Sequence, residues 1–170
     1  MSGLLRNLFT LLCAAWRMGA APLAGRTSTW FWITPFDTGI ATLKSDRYFQ
    51  LVEAAQLDFG LQTGLSRALI TSKLSFVNAA QNLRFLRPIR VFQRVRVDSS
   101  VAYFDEKCVY FQHDFYAKDV LCAQAWVKSK FKHGTITAAP AQFLGACAVA
   151  KPKHLQLWDD ALAALEKPRS

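Results

Sequence analysis

A helical period fills one stretch of the chain, and a period of two fills nearly everything after it. From Ser45 to Gly64 the apolar residues Tyr48, Leu51, Val52, Ala55, Leu57 and Phe59 recur at helical spacing. Ser45 or Asp46 is placed to cap the first turn, because either side-chain oxygen accepts a hydrogen bond from an amide the helix leaves unpaired. Gly60 and Gly64 offer a stop. Thr27 to Thr34, dense in aromatic and β-branched residues, predicts a strand that Pro35 closes. Leu74 to Leu86 predicts a long strand, with Asn78 and Asn82 at bulge or rim positions. From Ile89 the alternation sharpens: Ile89, Val91, Val95 and Val97 share one face with Gln93, and Arg90, Phe92, Arg94 and Arg96 the other.

Asp105-Glu106 reads as the turn between Val101–Phe104 and Lys107–Tyr116, where Val109, Phe111, His113 and Phe115 alternate with Cys108, Tyr110, Gln112 and Asp114. After the turn at Ala117-Lys118-Asp119, Val120 to Lys132 predicts the last long strand. It points Leu121, Ala123, Ala125 and Val127 one way, and Trp126, Lys128, Lys130 and Lys132 the other. Residues 140–150 suit a short helix and Leu155 to Lys167 a terminal one. One apolar helix followed by antiparallel strands predicts an α+β domain whose sheet wraps around that helix. The expected division is residues 1–26 as an N-terminal amphipathic helix, 27–134 as the sheet-and-helix domain, and 135–170 as a helical extension.

The N-terminal stripe of Leu4, Leu5, Leu8, Phe9, Leu11, Leu12, Ala15 and Trp16 is interrupted by Arg6 and Arg17, so its uncharged run falls short of a bilayer span. Three readings remain open: packing on protein, peripheral membrane contact through residues 4–17, and a cleaved signal. The expected location is cytoplasmic, with membrane association if the second reading holds.

Composition adds a core and a sign. With 170 residues, 52% apolar, the chain suffices for one domain. The net charge of +9 favours anionic partners: a phosphate-bearing small molecule, nucleic acid or an anionic membrane. Nucleic acid is disfavoured, because the aromatics are spread through the expected core and no nucleic-acid motif appears. The four cysteines are widely spaced with no C-x-x-C pair, so neither a metal site nor a cofactor is expected. His113, alternating with apolar residues, reads as a hydrogen-bonded core histidine.

The layout resembles the hotdog-fold acyl-CoA thioesterases, in particular the 4-hydroxybenzoyl-CoA thioesterase-like group. In that group a loop of the type D-x-D-x-x-G-H-x-N-N precedes an R-Y-L-x-x-x-x-E segment opening the central helix. Here Arg47 and Tyr48 match the start of that segment, with Glu53 five residues after Tyr48, and FLRPIRVFQRVRV resembles the family's next strand pair. Asp37 is the acidic residue of the loop. Thr38 stands where the second aspartate falls, and Ala41 to Ser45 replace G-H-x-N-N.

The resemblance implies a hotdog fold and a homodimer or homotetramer with sites at subunit interfaces. It also implies hydrolysis of an acyl-CoA or acyl-carrier-protein thioester; the alternative is a non-catalytic acyl-thioester-binding protein. Thioester hydrolysis needs a carboxylate to attack or to activate water, and donors for the oxyanion, which the helix N-terminus supplies. Asp37 is the first candidate carboxylate and Glu53 the second. Thr38, Thr42 and Tyr48 are candidate substrate contacts. Arg84, Arg87, Arg90, Lys128 and Lys130 are candidate partners for the substrate's phosphates.

Overall fold

The structure, a computed structural model, describes residues 19, 21–145 and 150–165. The expected helix over residues 4–17, together with Cys13 and Cys147, lies outside the described residues. The strands are β1 (Thr27–Trp32), β2 (Ser75–Phe85), β3 (Arg94–Phe104), β4 (Val109–Ala117), β5 (Val120–His133) and β6 (Ile136–Ala138). The helices are α1 (Ser45–Gln62), α2 (Leu65–Thr71), α3 (Ala141–Leu144) and α4 (Lys153–Ala163), and a 3-10 turn spans Pro35–Asp37. All strand pairs are antiparallel, in the order β1-β3-β4-β5-β2, with β6 added to β5.

The sheet curls around α1 because one face of each strand is apolar and must be covered. Leu51, Val52, Ala54, Ala55 and Phe59 of α1 are buried against Phe31, Val95, Val97, Phe111, Phe115 and Val127. Phe59 meets Phe111 edge-on at 5.7 Å between ring centroids. The helix face is not purely apolar. Leu57 is exposed while Asp58 is fully buried, accepting from Thr29 Oγ1 at 2.5 Å and Gln62 Nε2 at 2.8 Å, which ties β1 to α1.

Four local expectations need correction. The N-cap is Lys44, in extended conformation and with no side-chain cap hydrogen bond, and neither Ser45 nor Asp46 is the cap residue. Gly60 does not stop the helix, which runs through it to Gln62. A Cβ there would lie 2.3 Å from Ser66 Oγ, so glycine is what lets α2 pack close. Residues 89–93 form a turn rather than strand, with Phe92 at φ 63° and β3 starting at Arg94. Finally, Cys122 and not Leu121 enters the core, because the β4–β5 register shifts between Phe115 and Tyr116 and resets the alternation.

The convex face of the sheet is partly covered too. α4 begins directly after Pro152, two residues earlier than expected, and packs Leu155 and Trp158 on Cys108 and Tyr110. That is why both faces of β4 are buried. Asp159 fastens the helix: it accepts from Lys128 Nζ at 2.8 Å and bonds Lys151 Nζ and the Tyr110 hydroxyl. Burial raises the Asp159 pKa, but the bonds from Lys128, Lys151 and Tyr110 outweigh it and hold the carboxyl below its ordinary value. Its contribution is therefore present above the unfolded carboxylate pKa and fades as pH falls through the folded one. Asp159→Ala is expected to cost about 1–2 kcal/mol at pH 7, and less toward pH 3, in urea unfolding followed by tryptophan fluorescence.

Candidate active site

Two depressions lie at opposite ends of the region between α1 and β2. The first is built by the loop entering α1. Asp37 closes the 3-10 turn: its Oδ2 accepts from Thr34 N at 3.0 Å and Thr34 Oγ1 at 2.7 Å, and its backbone carbonyl accepts from Lys44 N at 3.1 Å. The residue is 2% exposed. Bonds from Leu43 N to Ile89 O and from Val91 N to Ala41 O then lay residues 41–43 along the turn at 89–91. This directs the chain into α1 beside a depression of about 320 Å³, bordered by Thr42, Ser45, Tyr48, Phe85 and Arg87. Arg87 is the charged group among the lining residues. With no side-chain cap on the first turn of α1, backbone donors and the positive end of the helix dipole face this end of the molecule.

Tyr48 forms a wall of this depression rather than a free hydroxyl. It is 2% exposed and packs on Phe85 and Phe115, with centroids 5.1 and 5.3 Å away. Burial, and then the neighbouring Cys122, push its pKa up to about 12, partly offset by a backbone hydrogen bond at Ile89. Tyr48 therefore stays protonated at neutral pH.

The second depression, also about 320 Å³, opens between the C-terminal half of α1, α2 and β2. Leu57, Phe59, Leu69, Phe76 and Phe111 make it apolar, and Glu53 is the charged residue on its lining. One turn along α1, Gln56 Oε1 accepts from Asn78 Nδ2 at 3.3 Å, and Asn78 Oδ1 accepts from Ser129 Oγ at 2.9 Å. The Gln56 Nε2 atom is buried without a partner. The β2–β5 register shifts between Asn78 and Ala80, and this bulge aims Asn78 at the helix. An exposed carboxylate, an unpaired amide donor and an apolar trough suit a carbonyl compound with a hydrophobic tail.

The candidate residues from the sequence separate into groups. Thr42, Tyr48 and Arg87 converge on the first depression, with Arg90 on the adjoining turn, bridged to Thr42. Asp37 stands behind the same loop. Thr38, also buried, donates to Pro35 O at 3.1 Å and holds the turn. Glu53 belongs to the second depression. Arg84 lies on the convex side, beside Gln124, Trp126 and His154. Lys128 is committed to Asp159, and Lys130 is half-buried on the same strand. Gln56, Ser45 and Phe85 were not singled out as site residues from the sequence. Gln56 had a signal, standing three residues after Glu53 and so on the same helix face. His113 is fully buried and shares a 2.8 Å hydrogen bond with Ser99 Oγ.

Comparison with known proteins fits this architecture. The fold is similar to that of the probable thioesterase from Bartonella henselae, at 15% identity and TM-score 0.61, covering 68% of this chain and 98% of that one. It is similar to the DHNA-CoA thioesterase from Staphylococcus aureus, at 13% identity and TM-score 0.62, covering 81% and 91%. A third similar structure is a hypothetical thioesterase from Streptococcus pneumoniae TIGR4 with coenzyme A, at 8% identity and TM-score 0.56, covering 74% and 94%. Identities this low carry the fold alone. No curated protein matches the sequence. The family model of the thioesterase-like superfamily matches residues 40–149, from just after Asp37 to the end of the sheet and beyond. With well over half its length inside that match and a sheet curled around one central helix, the chain belongs to the thioesterase-like superfamily and has the hotdog fold.

Proposed function

We propose that the protein hydrolyses an acyl-CoA thioester at a site completed by a second copy of the chain. The observation that carries this reading is the placement of the two depressions along β2. Phe76 and Asn78, near the start of the strand, border the depression with Glu53; Phe85, at its end, borders the one at the start of α1. Pairing β2 antiparallel with its own copy brings the start of one strand to the end of the other. Each composite site then has uncapped amides and Arg87 from one subunit, and Glu53, Gln56 and the apolar trough from its partner.

In this site the thioester carbonyl lies at the α1 N-terminus. Glu53 takes a proton from a water that attacks the carbonyl carbon, and the amides stabilise the oxyanion. The C–S bond breaks, and the thiolate leaves and is protonated, giving a free acid and a thiol. The trough at Leu69 and Phe76 takes the acyl chain, while Arg87 and Arg90 take coenzyme A phosphates. Coenzyme A is preferred over acyl-carrier protein because these guanidiniums stand at the mouth of the depression. Asp37, sealed in its turn, holds the loop. Among the described residues no helix is long and apolar enough to cross a membrane. A cytoplasmic location, where acyl-CoA is available, is part of this proposal.

The test is hydrolysis of short, medium, long and aromatic acyl-CoAs and of an acyl-carrier-protein thioester. Glu53→Gln is expected to lower kcat by about 10²–10³-fold with little change in KM. Asp37→Asn is expected to lower thermal stability but retain turnover per folded molecule. The reverse pattern would assign the carboxylate role to Asp37. Binding of acyl-CoA without turnover of any thioester would establish the alternative, a non-catalytic binding protein.

A further inference from the structure

The alternation of β1 turns Thr27, Thr29 and Phe31 inward and leaves Trp30 and Trp32 outward, 47% and 66% exposed. Phe92, on the turn before β3, is 70% exposed. With Gln93, Arg94 and Lys118 these residues border one shallow depression of about 450 Å³ on the convex face. We propose that this face docks on the headgroup layer of an anionic phospholipid bilayer.

The backbone supports a function for the patch. Phe92 has φ 63° and Lys118 φ 50°, left-handed conformations that glycine or asparagine adopts with less strain. The turn at Phe92 is held by its amide bonding Ile33 O at 2.8 Å, so the ring is fixed outward in water. Lys118 and Asp119 (φ 61°) occupy a hairpin turn whose two left-handed positions suit Asn-Gly. Two strained positions thus present a bulky aromatic and a cation to the same patch, and strain of this kind is kept where it serves a function.

The chemistry selects the occupant. The Arg94 guanidinium lies 4.2 Å from the Trp30 ring centroid. Arg96 is neutralised by Asp98 and Asp119, whereas Arg94 and Lys118 have no carboxylate partner among the described residues. Indole rings interspersed with uncompensated cations match the bilayer interface, where tryptophan settles at headgroup depth and arginine and lysine meet lipid phosphates. A second copy docked face to face on this patch fits poorly, since it sets Arg94 and Lys118 against their own copies with no unpaired carboxylate among the lining residues to meet them. The patch shares no residue with the stretch 4–17. The chain meets the domain at the far end of α1, where Gly19 N bonds Leu61 O and Ala21 N bonds Gln62 O.

The experiment is co-sedimentation of the full chain with phosphatidylcholine vesicles, with and without phosphatidylserine. This readout does not depend on hydrolysis. Binding is expected to require phosphatidylserine and to weaken with salt. The double variant Trp32→Ser/Phe92→Asn is expected to lower the partition coefficient about tenfold or more. Arg94→Gln/Lys118→Gln should remove the phosphatidylserine dependence. Phe92→Asn alone should hold or raise Tm, because asparagine tolerates the left-handed conformation, so loss of binding cannot be laid to misfolding. Unchanged partition in the double variant would assign the membrane to another segment and overturn the proposal. So would absence of binding by the unaltered chain, or a change in oligomeric mass in place of a change in vesicle binding.

Discussion

A lysine at position 79 is expected to yield a folded monomer that hydrolyses no thioester. β2 pairs with β5 on one side, and its other edge has no partner among the described residues. Edges that stay single are usually short or guarded by lysine, glutamate or proline. β2 runs eleven residues, SFVNAAQNLRF, with Arg84 as its single charged residue. Phe76, Val77 and Phe85 remain exposed along it. Ala79 is exposed near the middle of the strand, and as the extra residue of the bulge it faces no residue of β5. A side chain added there disturbs nothing within the subunit. In an antiparallel self-pairing, however, residues near the centre of the strand meet their own copies, and Ala79→Lys sets two ammonium groups against each other.

Like charges across an interface cost several kcal/mol, so the dimer dissociation constant should rise about 10²–10³-fold. Light scattering at micromolar concentration then reports a monomer with unchanged circular dichroism. Activity should fall with the dimer fraction, because Glu53 and the α1 amides no longer share a site, and should return as protein concentration is raised. A fully active monomer would sink the composite site and leave each depression to be explained alone.

The central helix and the long strands were legible because they rest on periodicity, which the packed sheet preserves; the thioesterase resemblance was legible from particular residues, those opening the central helix and those of the stretch FLRPIRVFQRVRV. What escaped depends on single residues that break the period. The shift at Cys122 moves Leu121 out of the core, although their hydrophobicity is similar. Ile89 to Gln93 alternate well enough to pass for strand, yet a left-handed Phe92 turns the chain. Gly60 looks like a stop, and only the approach of Ser66 reveals a packing role. Of the candidate site, the loop and helix start were visible as neighbours in sequence. The pairing of Gln56 with Asn78 joins residues 22 apart, and that of Lys128 with Asp159 joins residues 31 apart. No local pattern encodes either contact. The basic face of β5 therefore read as a phosphate site, when part of it is the seat of α4.

His113 is expected to dominate the acid limb of stability. It is fully buried on β4 beneath α1; Nδ1 shares a hydrogen with Ser99 Oγ, and Nε2 has no partner. Burial alone lowers its pKa from 6.5 to about 3. Above pH 6.5 the folded and unfolded chains both carry neutral imidazole, and the residue adds no pH dependence. Between 6.5 and about 3 the unfolded chain binds a proton that the folded one refuses, so stability falls with falling pH by up to about 1.4 kcal/mol per unit. By pH 4.5 the loss reaches about 3 kcal/mol, a large part of the stability of an ordinary domain.

His113→Leu removes the titrating group but strands the buried Ser99 hydroxyl, which costs about 1–3 kcal/mol at pH 7. The variant should therefore be the less stable protein at neutral pH and the more stable one in acid, with the two curves crossing near pH 5. His113→Leu/Ser99→Ala, which leaves no orphaned hydroxyl, should move the crossing toward pH 6. Urea unfolding midpoints from pH 4.5 to 7.5 measure both curves. Asp159 and the other carboxylates contribute equally to the two proteins and cancel in the difference. Parallel curves would mean that His113 accepts its proton within the fold, and that the space around Nε2 opens to water before the sheet separates.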